Sequence, residues 1–269
     1  MKIKNNTVSV SLLISTYNWE EALSLCLKSV LSQTRLPDEI IIADDGSNNN
    51  TYKLIKNISV TSSIPIHHIW HKDNGFRKTI ILNKAIAKCT KDYIIQIDGD
   101  IILNKHFVQD QLDELRPGYY LNGSRGKINS YFTNKYLKKG TFNIHFYSPG
   151  IYRKLNTIRL PFLTKFFYHY KEHAKERGCN MSFWRNDIIA INGYDERIIG
   201  YGYEDIDIGC RLRRLGIQKR FVKFKAIEFH LYHKNAETKN NMNHNQIVFD
   251  ENNRKGIIKS PLGISQYLK

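Results

Sequence analysis

The stretch KDYIIQIDGDIIL, residues 91–103, decides the fold. Its apolar run Tyr93–Ile97 is short and rich in β-branched residues, which is the pattern of a strand buried on both faces. The run stops at Asp98-Gly99-Asp100, where two carboxylates flank a glycine, and apolar residues resume at Ile101-Ile102. Working back along the chain, the same kind of run recurs at Val8–Ile14 and Ile40–Ala43, and a further strand is expected near Ile66–Trp70. Between these runs lie helical patterns. Glu20–Gln33 spaces Leu23, Leu27, Val30 and Leu31 on one face, and similar stretches cover Thr51–Ile58 and Thr79–Ala87. Strand and helix alternating at this period predict βαβ units, hence an α/β fold with a mainly parallel sheet flanked by helices. Such sheets take ligands beyond the carboxyl ends of their strands.

What sits at those ends is polar in every case. The first strand runs into Ser15-Thr16-Tyr17-Asn18, the second into Asp44-Asp45-Gly46-Ser47, and the fourth into Asp98-Gly99-Asp100. Any one cluster reads equally well as a set of turn formers. Three in succession, from strands that should lie side by side, predict convergence on one site. Asp98 and Asp100, one residue apart on a turn, have the chemistry to share Mn²⁺ or Mg²⁺, one directly and one through water or a ligand hydroxyl. Asp44 or Asp45 is placed either to accept from a base imide or ribose hydroxyl, or to cap the following helix.

Beyond residue 116 the periodicity breaks down. Arg116–Arg177 holds 13 Lys/Arg against two acids, Glu172 and Glu176, interleaved with 14 Tyr/Phe. Regular spacing returns at Asn180–Ile191 and in a helix starting near Glu204. The expected organisation is one domain with a nucleotide-binding half (1–122), an irregular basic-aromatic insertion (123–178), a catalytic and acceptor-binding half (179–234) and a polar, mobile tail (235–269). In the second half Gly200-Tyr201-Gly202-Tyr203 leads into Glu204-Asp205-Ile206-Asp207. Acids at a helix start satisfy the dipole, but three in four positions behind a flexible segment exceed what capping requires. A carboxylate presented there can act as general base, and the glycines can let the segment close over substrate. His230 and His233 follow Phe221–Phe229, which reads as one strand with a basic face, and an imidazole there can complete a metal shell begun by Asp100.

Composition bounds the rest. The 269 residues include 41 Lys/Arg against 25 Asp/Glu, a net charge of +16. Cys26, Cys89, Cys179 and Cys210 have no paired spacing, so neither a disulfide framework nor a zinc ribbon is predicted. The start MKIKNNTVSV lacks the apolar core of a leader, and no run approaches the ~20 apolar residues of a membrane span. A cytoplasmic chain is expected. Its charge suits an anionic partner: nucleic acid, an acidic membrane face or a phosphorylated small molecule. A nucleic-acid module would exploit the basic-aromatic stretch, but the acidic clusters would repel a polyanion, so none is expected. A sugar-nucleotide nucleotidylyltransferase would need a Gly-rich basic loop after the first strand, where Thr16-Tyr17-Asn18-Trp19 stands instead.

SLLISTYNWEEALSLCLKSVLSQT (11–34), IIADDGS (41–47), DNGFRKTIILNKAI (73–86) and DYIIQIDGD (92–100) resemble, in order and spacing, the nucleotide-binding half of family 2 glycosyltransferases with the GT-A fold. GCNMSFWRNDIIAINGYDERIIGYGYEDIDIGCRLRRLG (178–216) is similar to the acceptor-side segment of β-1,4-galactosyltransferases and bacterial chondroitin-type polymerases. The resemblance implies a metal-dependent, inverting transfer of a hexose or N-acetylhexosamine from a UDP-sugar to a saccharide acceptor in capsule, lipopolysaccharide or O-antigen synthesis. It implies that Thr16, with Tyr17 and Asn18, lines the base, that Asp44 binds uracil with Asp45 beside the ribose, and that Arg77 lies near the base or diphosphate. Asp98 would contact ribose and metal-bound water, next to Gly99, and Asp100 would ligate Mn²⁺. Asp205 would be the catalytic base, with Glu204, Asp207, Tyr201, Gly202 and Tyr203 around the acceptor, and His230, or alternatively His233, the further metal ligand. Two positions depart from the family pattern: Leu82-Asn83 replaces an Arg-Asn pair, and Tyr201 replaces the tryptophan of a Gly-Trp-Gly. Pro161–Tyr168 is expected to meet an anionic membrane on the inner face of the cytoplasmic membrane, beside a lipid-linked acceptor.

Overall fold

The computed structural model describes residues 8–169, 176–234 and 241–268. β1 (Val10–Thr16), β2 (Glu39–Asp44), β3 (Ile66–Trp70) and β4 (Tyr93–Asp98) alternate with α1 (Glu20–Leu31), α2 (Asn49–Thr61) and α3 (Lys78–Lys88). β5 (Ile101–Leu103) and α4 (Phe107–Glu114) follow, then β6 (Tyr119–Gly123), β7 (Gly126–Ile128), α5 (Ser130–Lys139) and β8 (Ile151–Tyr152). The last part holds β9 (Met181–Trp184), α6 (Arg185–Ala190), α7 (Glu204–Arg214), β10 (Gln218–Val222), β11 (Glu228–His230) and α8 (Met242–Arg254). Among the described residues no helix is long and apolar enough to cross a membrane.

The main sheet has the order β10-β6-β9-β4-β1-β2-β3. Only β9 runs against its neighbours β4 and β6, so the sheet is mainly parallel as expected. Alternation along each buried strand supplies two apolar layers. Leu12 and Ile14 of β1 face α1 through Leu23, Leu27 and Val30, while Leu13, with Ile41 and Ile94, faces Ile81, Leu82 and Ala85 of α3. Each fully buried Leu or Ile contributes about 1.5–3 kcal/mol, so the two layers fix the register firmly. That register puts Ser15 level with Asp98 and Thr16 level with Asp44. The three polar clusters are thereby delivered to one edge.

Four expectations need correction. The boundary expected after Asn122 falls inside β6, a strand of the main sheet. The supposed irregular insertion contains β7, β8 and α5, the last capped by Asn129, which accepts from Phe132 N, and closed by left-handed Gly140. Its 3₁₀ turns and mixed pairings hide it from a single-period reading; Glu172 and its neighbours at 170–175 lie outside the described residues. Phe221–Phe229 is two strands in two sheets, because Phe224 (φ 64°) and Ala226 (φ 48°) break the extended run. The tail carries α8, whose Asn245 and Asn252 are buried in the protein; residues 235–240 lie outside the described set. A second sheet, β5-β11-β7-β8, sits at the β4 end and presents the two histidines.

Candidate active site

The turn after β4 is the hinge of the site. Gly99 N donates to Ser15 O (2.7 Å), and a side chain at Gly99 would press on that oxygen at 3.0 Å, so glycine lets the turn lie against β1. Asp98 Oδ1 accepts from Ser15 Oγ (2.7 Å) and from Lys78 Nζ (2.8 Å). Burial would raise this carboxyl, but the Lys78 charge and these bonds bring it to about 2. Asp100 lies beyond it. His230 Nε2 and His233 Nε2 approach Asp100 Oδ2 at 3.4 and 3.3 Å, while Asp100 Oδ1 is buried with no hydrogen-bond partner among the described residues. Burial holds the His230 imidazole below its ordinary value, which keeps its nitrogen available as a ligand. Ligand atoms of the three residues lie within 4.8 Å of one another. One carboxylate oxygen without a partner and two imidazole nitrogens fit a divalent cation. The sequence offered His233 as a substitute for His230; the structure brings both to Asp100.

Toward β3 the aspartate pair is held by histidines. Asp44 is fully buried; its Oδ1 accepts from Ser47 N (2.8 Å), three residues on, and its Oδ2 meets His68 Nε2 (2.7 Å). Asp45 Oδ1 meets His71 Nε2 (2.7 Å), and its Oδ2 accepts from Arg77 N (2.8 Å). Arg77 thus contributes its backbone to this loop. Tyr17 OH donates to Asp73 Oδ2 (2.9 Å) and half its ring is exposed. Asn18 adopts φ 43°, which asparagine tolerates, and its Oδ1 accepts from Asn48 N (2.9 Å), pinning the β1 loop to the α2 N-terminus.

A second group of carboxylates comes from α7. Asp205 Oδ2 accepts from Gly178 N (2.7 Å), and its Oδ1 is buried with no partner among the described residues. A Cβ at residue 178 would stand 2.3 Å from that oxygen, so only glycine fits there. Gly178 O accepts from Gln96 Nε2 (3.2 Å), and Gln96 Oε1 from Tyr194 OH (2.9 Å), linking the Asp205 support to β4. Glu204 is pushed up to about 7 by burial and then by the neighbouring Asp205 charge. Burial likewise raises Asp205, opposed by the Lys78 ammonium. Burial opposes the Lys78 charge, but Asp98, Asp205 and Glu204 together hold its pKa well above the ordinary lysine value. Lys78 is therefore the cation that joins the two carboxylate groups.

Asp207, expected near the acceptor, is instead structural. It is 1% exposed; Oδ2 pairs with Arg211 Nε (2.7 Å) and Oδ1 accepts from Asn252 Nδ2 (2.9 Å). Three residues from α7's start, it sits one turn inward, where the helix packs on α8. Tyr201 is 57% exposed, and Gly202 (φ 99°) and Tyr203 (φ 74°) are left-handed. That strain at Tyr203 is held from α8: Asn245 Nδ2 donates to Ile199 O (2.8 Å) and Gly202 O (3.1 Å), Asn245 Oδ1 accepts from Ile199 N (2.9 Å), and the Phe249 ring lies 5.3 Å from that of Tyr203. Leu82 is core, and Asn83 binds the backbone at Tyr194 through both amide atoms, so neither faces the site.

Sequence reading missed Lys78, His68, His71, Gly178 and Asn245. Lys78 adjoins Arg77, and the histidines lie within and just after β3, the strand beside the aspartate pair, so adjacency was a usable signal for these. Gly178 and Asn245 had none, because their roles arise from chain segments far apart.

A doubly wound sheet with carboxylates converging from its strand ends, a helix-borne acidic pair opposite and a second small sheet closing the site defines a glycosyltransferase of the GT-A fold. Residues 11–177 match the model described as glycosyl transferase family 2, and the chain belongs to that family. Residues 159–234 match the N-terminal domain of galactosyltransferase. The chain is 24% identical over 237 residues to chondroitin synthase of Pasteurella multocida, covering 79% of this chain and 24% of that protein. It therefore spans about a quarter of that relative's length. Among solved structures, TarS of S. aureus in complex with UDP superposes with a TM-score of 0.63 at 13% identity, covering 96% of this chain and 68% of that one. The mannosyltransferase PcManGT of Pyrobaculum calidifontis, in complex with GDP-Man and Mn²⁺, gives 0.59 at 14% identity over 85% of this chain and 58% of that one.

Proposed function

We propose that this chain moves a hexose or N-acetylhexosamine from a UDP-sugar to a hydroxyl of a saccharide acceptor, with inversion at the anomeric carbon, in the synthesis of a bacterial surface polysaccharide. The observation that carries this reading is Asp205: one oxygen is fixed by Gly178 N–H, and the other is buried with no partner beside Lys78 and Asp98. A carboxylate so held is pre-oriented to take a proton at Oδ1. The acceptor oxygen attacks the anomeric carbon as its proton passes to Asp205, and the bond to the diphosphate oxygen breaks on the opposite face. UDP leaves with that electron pair. One displacement turns an α-linked donor into a β-glycoside.

Asp45 and Asp98 border the nucleotide in this reading, and Asp44, held by Ser47 and His68, sets the loop that faces the base. Asp100, His230 and His233 would hold the cation, and the two imidazoles favour Mn²⁺ over Mg²⁺. Such an ion neutralises charge on the leaving diphosphate. Tyr201 offers an exposed ring for sugar stacking. Exposed Phe162 (69%) and Phe166 (70%), with Lys165 over the Phe166 ring at 5.1 Å, supply the surface for an anionic membrane that carries a lipid-linked acceptor.

The test is a screen of UDP-Gal, UDP-GalNAc, UDP-Glc and UDP-GlcNAc with Mn²⁺, following UDP release, with the anomeric configuration of the product read by NMR. A β-linked product supports the reading. An α-linked product, or full turnover by Asp205→Asn, contradicts it.

A further inference from the structure

Several cations around the site are matched by carboxylates: Lys78 by Asp98, Arg213 by Glu176 and Arg211 by Asp207. Lys127, Arg153 and Arg177 instead lie close enough for their charges to act on one another. Among the described residues none of the three has a carboxylate within ion-pair distance, although Lys127 and Arg177 are half-buried.

The second sheet explains why they lie together. β7 is parallel to β11, with Lys127 the register partner of His230, so these two side chains share a face. β8 is antiparallel to β7, with Tyr152 opposite Lys127, so Arg153 follows directly at the end of that strand. Arg125, two residues before Lys127 and on the same face, donates to Cys179 Sγ at 3.2 Å, which ties β7 to the segment Arg177-Gly178-Cys179. Arg177 precedes the glycine whose N–H holds Asp205. Burial holds the Arg177 guanidinium below its ordinary value, and the nearby Arg125 and Arg153 charges act in the same direction, opposed by Cys179 and Glu228. The row therefore begins beside a metal-ligand candidate and ends beside the base.

Its side of the site is the informative point. In the order β5-β11-β7-β8, Lys127 lies one strand beyond His230 and Tyr152 two strands beyond, on the far side of His230 from β5 and the Asp100 turn. Asp98 ends β4 just before that turn, and Asp44 ends and Asp45 follows β2, two strands from β4 in the main sheet. Resting on the glycosyltransferase reading, we propose that Lys127, Arg153 and Arg177 form a subsite for a negatively charged group of the acceptor, a phosphate or a carboxylate, held while a neighbouring sugar hydroxyl faces Asp205. Tyr152, 44% exposed, gives that sugar an apolar face beside the cations.

The experiment is calorimetry on the full chain saturated with UDP and Mn²⁺, titrated with methyl phosphate, methyl β-glucuronide and, as the neutral reference, methyl β-glucoside. At least one anion should bind and the glucoside should bind at least tenfold more weakly. Phosphate alone assigns a phosphate-bearing acceptor, and glucuronide alone assigns an acidic sugar. Lys127→Ala/Arg153→Ala should weaken the anion at least tenfold while UDP affinity stays within twofold, and Lys127→Arg/Arg153→Lys should restore binding. Absence of anion binding, an unaltered constant in the alanine variant, or competition between the anion and UDP would overturn the proposal. Failure of the wild-type chain to bind UDP would be seen before any anion is added, and would overturn the underlying reading together with it.

Discussion

On the side proposed for the nucleotide, Asp44, Asp45 and Asp98 end or follow parallel strands, and each is held by a histidine, a lysine or a backbone N–H. On the side proposed for the acceptor, Asp205 lies in the first turn of a helix behind left-handed residues and keeps one oxygen buried with no partner among the described residues. The first half is a set of strand ends that would form in any well-registered sheet. The second is assembled from segments that meet only in the folded chain: Gly178 before β9, Asp205 on α7 and Asn245 on α8. Local sheet geometry thus builds the holder, and long-range packing builds the reacting group.

The largest effect that can break this comparison is at Gly178. Gly178→Ala puts a Cβ against Asp205 Oδ1, so turnover should fall by about 100-fold or more while UDP affinity holds. Kinetics beside calorimetry checks it, and equal loss of both would dissolve the division between halves. Next is Asp207→Asn, which leaves buried Arg211 uncompensated and should cost about 3–5 kcal/mol in denaturant unfolding. A raised acceptor KM with unchanged stability would instead return Asp207 to the acceptor site.

Much of the first half was legible in sequence because period-two strands and turn-forming ends are local signals. A strand was read near Ile66–Trp70, where β3 lies, and Asp98-Gly99-Asp100 fell where the strand rule put it. The second half was legible only in part. Glu204-Asp205 stood out as acidic density, but acidic density also marked Asp207, and only its bonds to Arg211 and Asn252 separate it from the pair. The region after residue 116 was opaque because three-residue strands carry too few residues to show a period. The two left-handed residues that divide β10 from β11 are Phe and Ala, which give no turn signal.

A smaller effect concerns pH. A base works ionised, and burial holds the Asp205 carboxyl above its ordinary value, so kcat/KM should fall on the acid side at a higher pH than for an ordinary carboxylate. Glu204→Gln removes a like charge beside Asp205 and should move that acid limb to lower pH; a shift upward would show that the pair does not titrate together. Asn245→Ala frees the Gly200–Gly202 segment. It should raise acceptor KM severalfold, with a loss of about 1–3 kcal/mol in stability measured by thermal unfolding. The mildest effect is Phe162→Ser/Phe166→Ser, which should reduce flotation with anionic liposomes and leave turnover on a soluble acceptor unchanged.

The division between a holding half and a reacting half is tested most directly by one paired measurement: UDP affinity in Mn²⁺ and sugar-transfer turnover, for Asp100→Ala and Asp205→Asn together. The account predicts that Asp100→Ala loses UDP affinity at least tenfold, whereas Asp205→Asn keeps it within twofold and loses turnover by a thousandfold or more. Asp205→Asn turning over at the wild-type rate, or Asp100→Ala binding UDP as the wild type does, would contradict it.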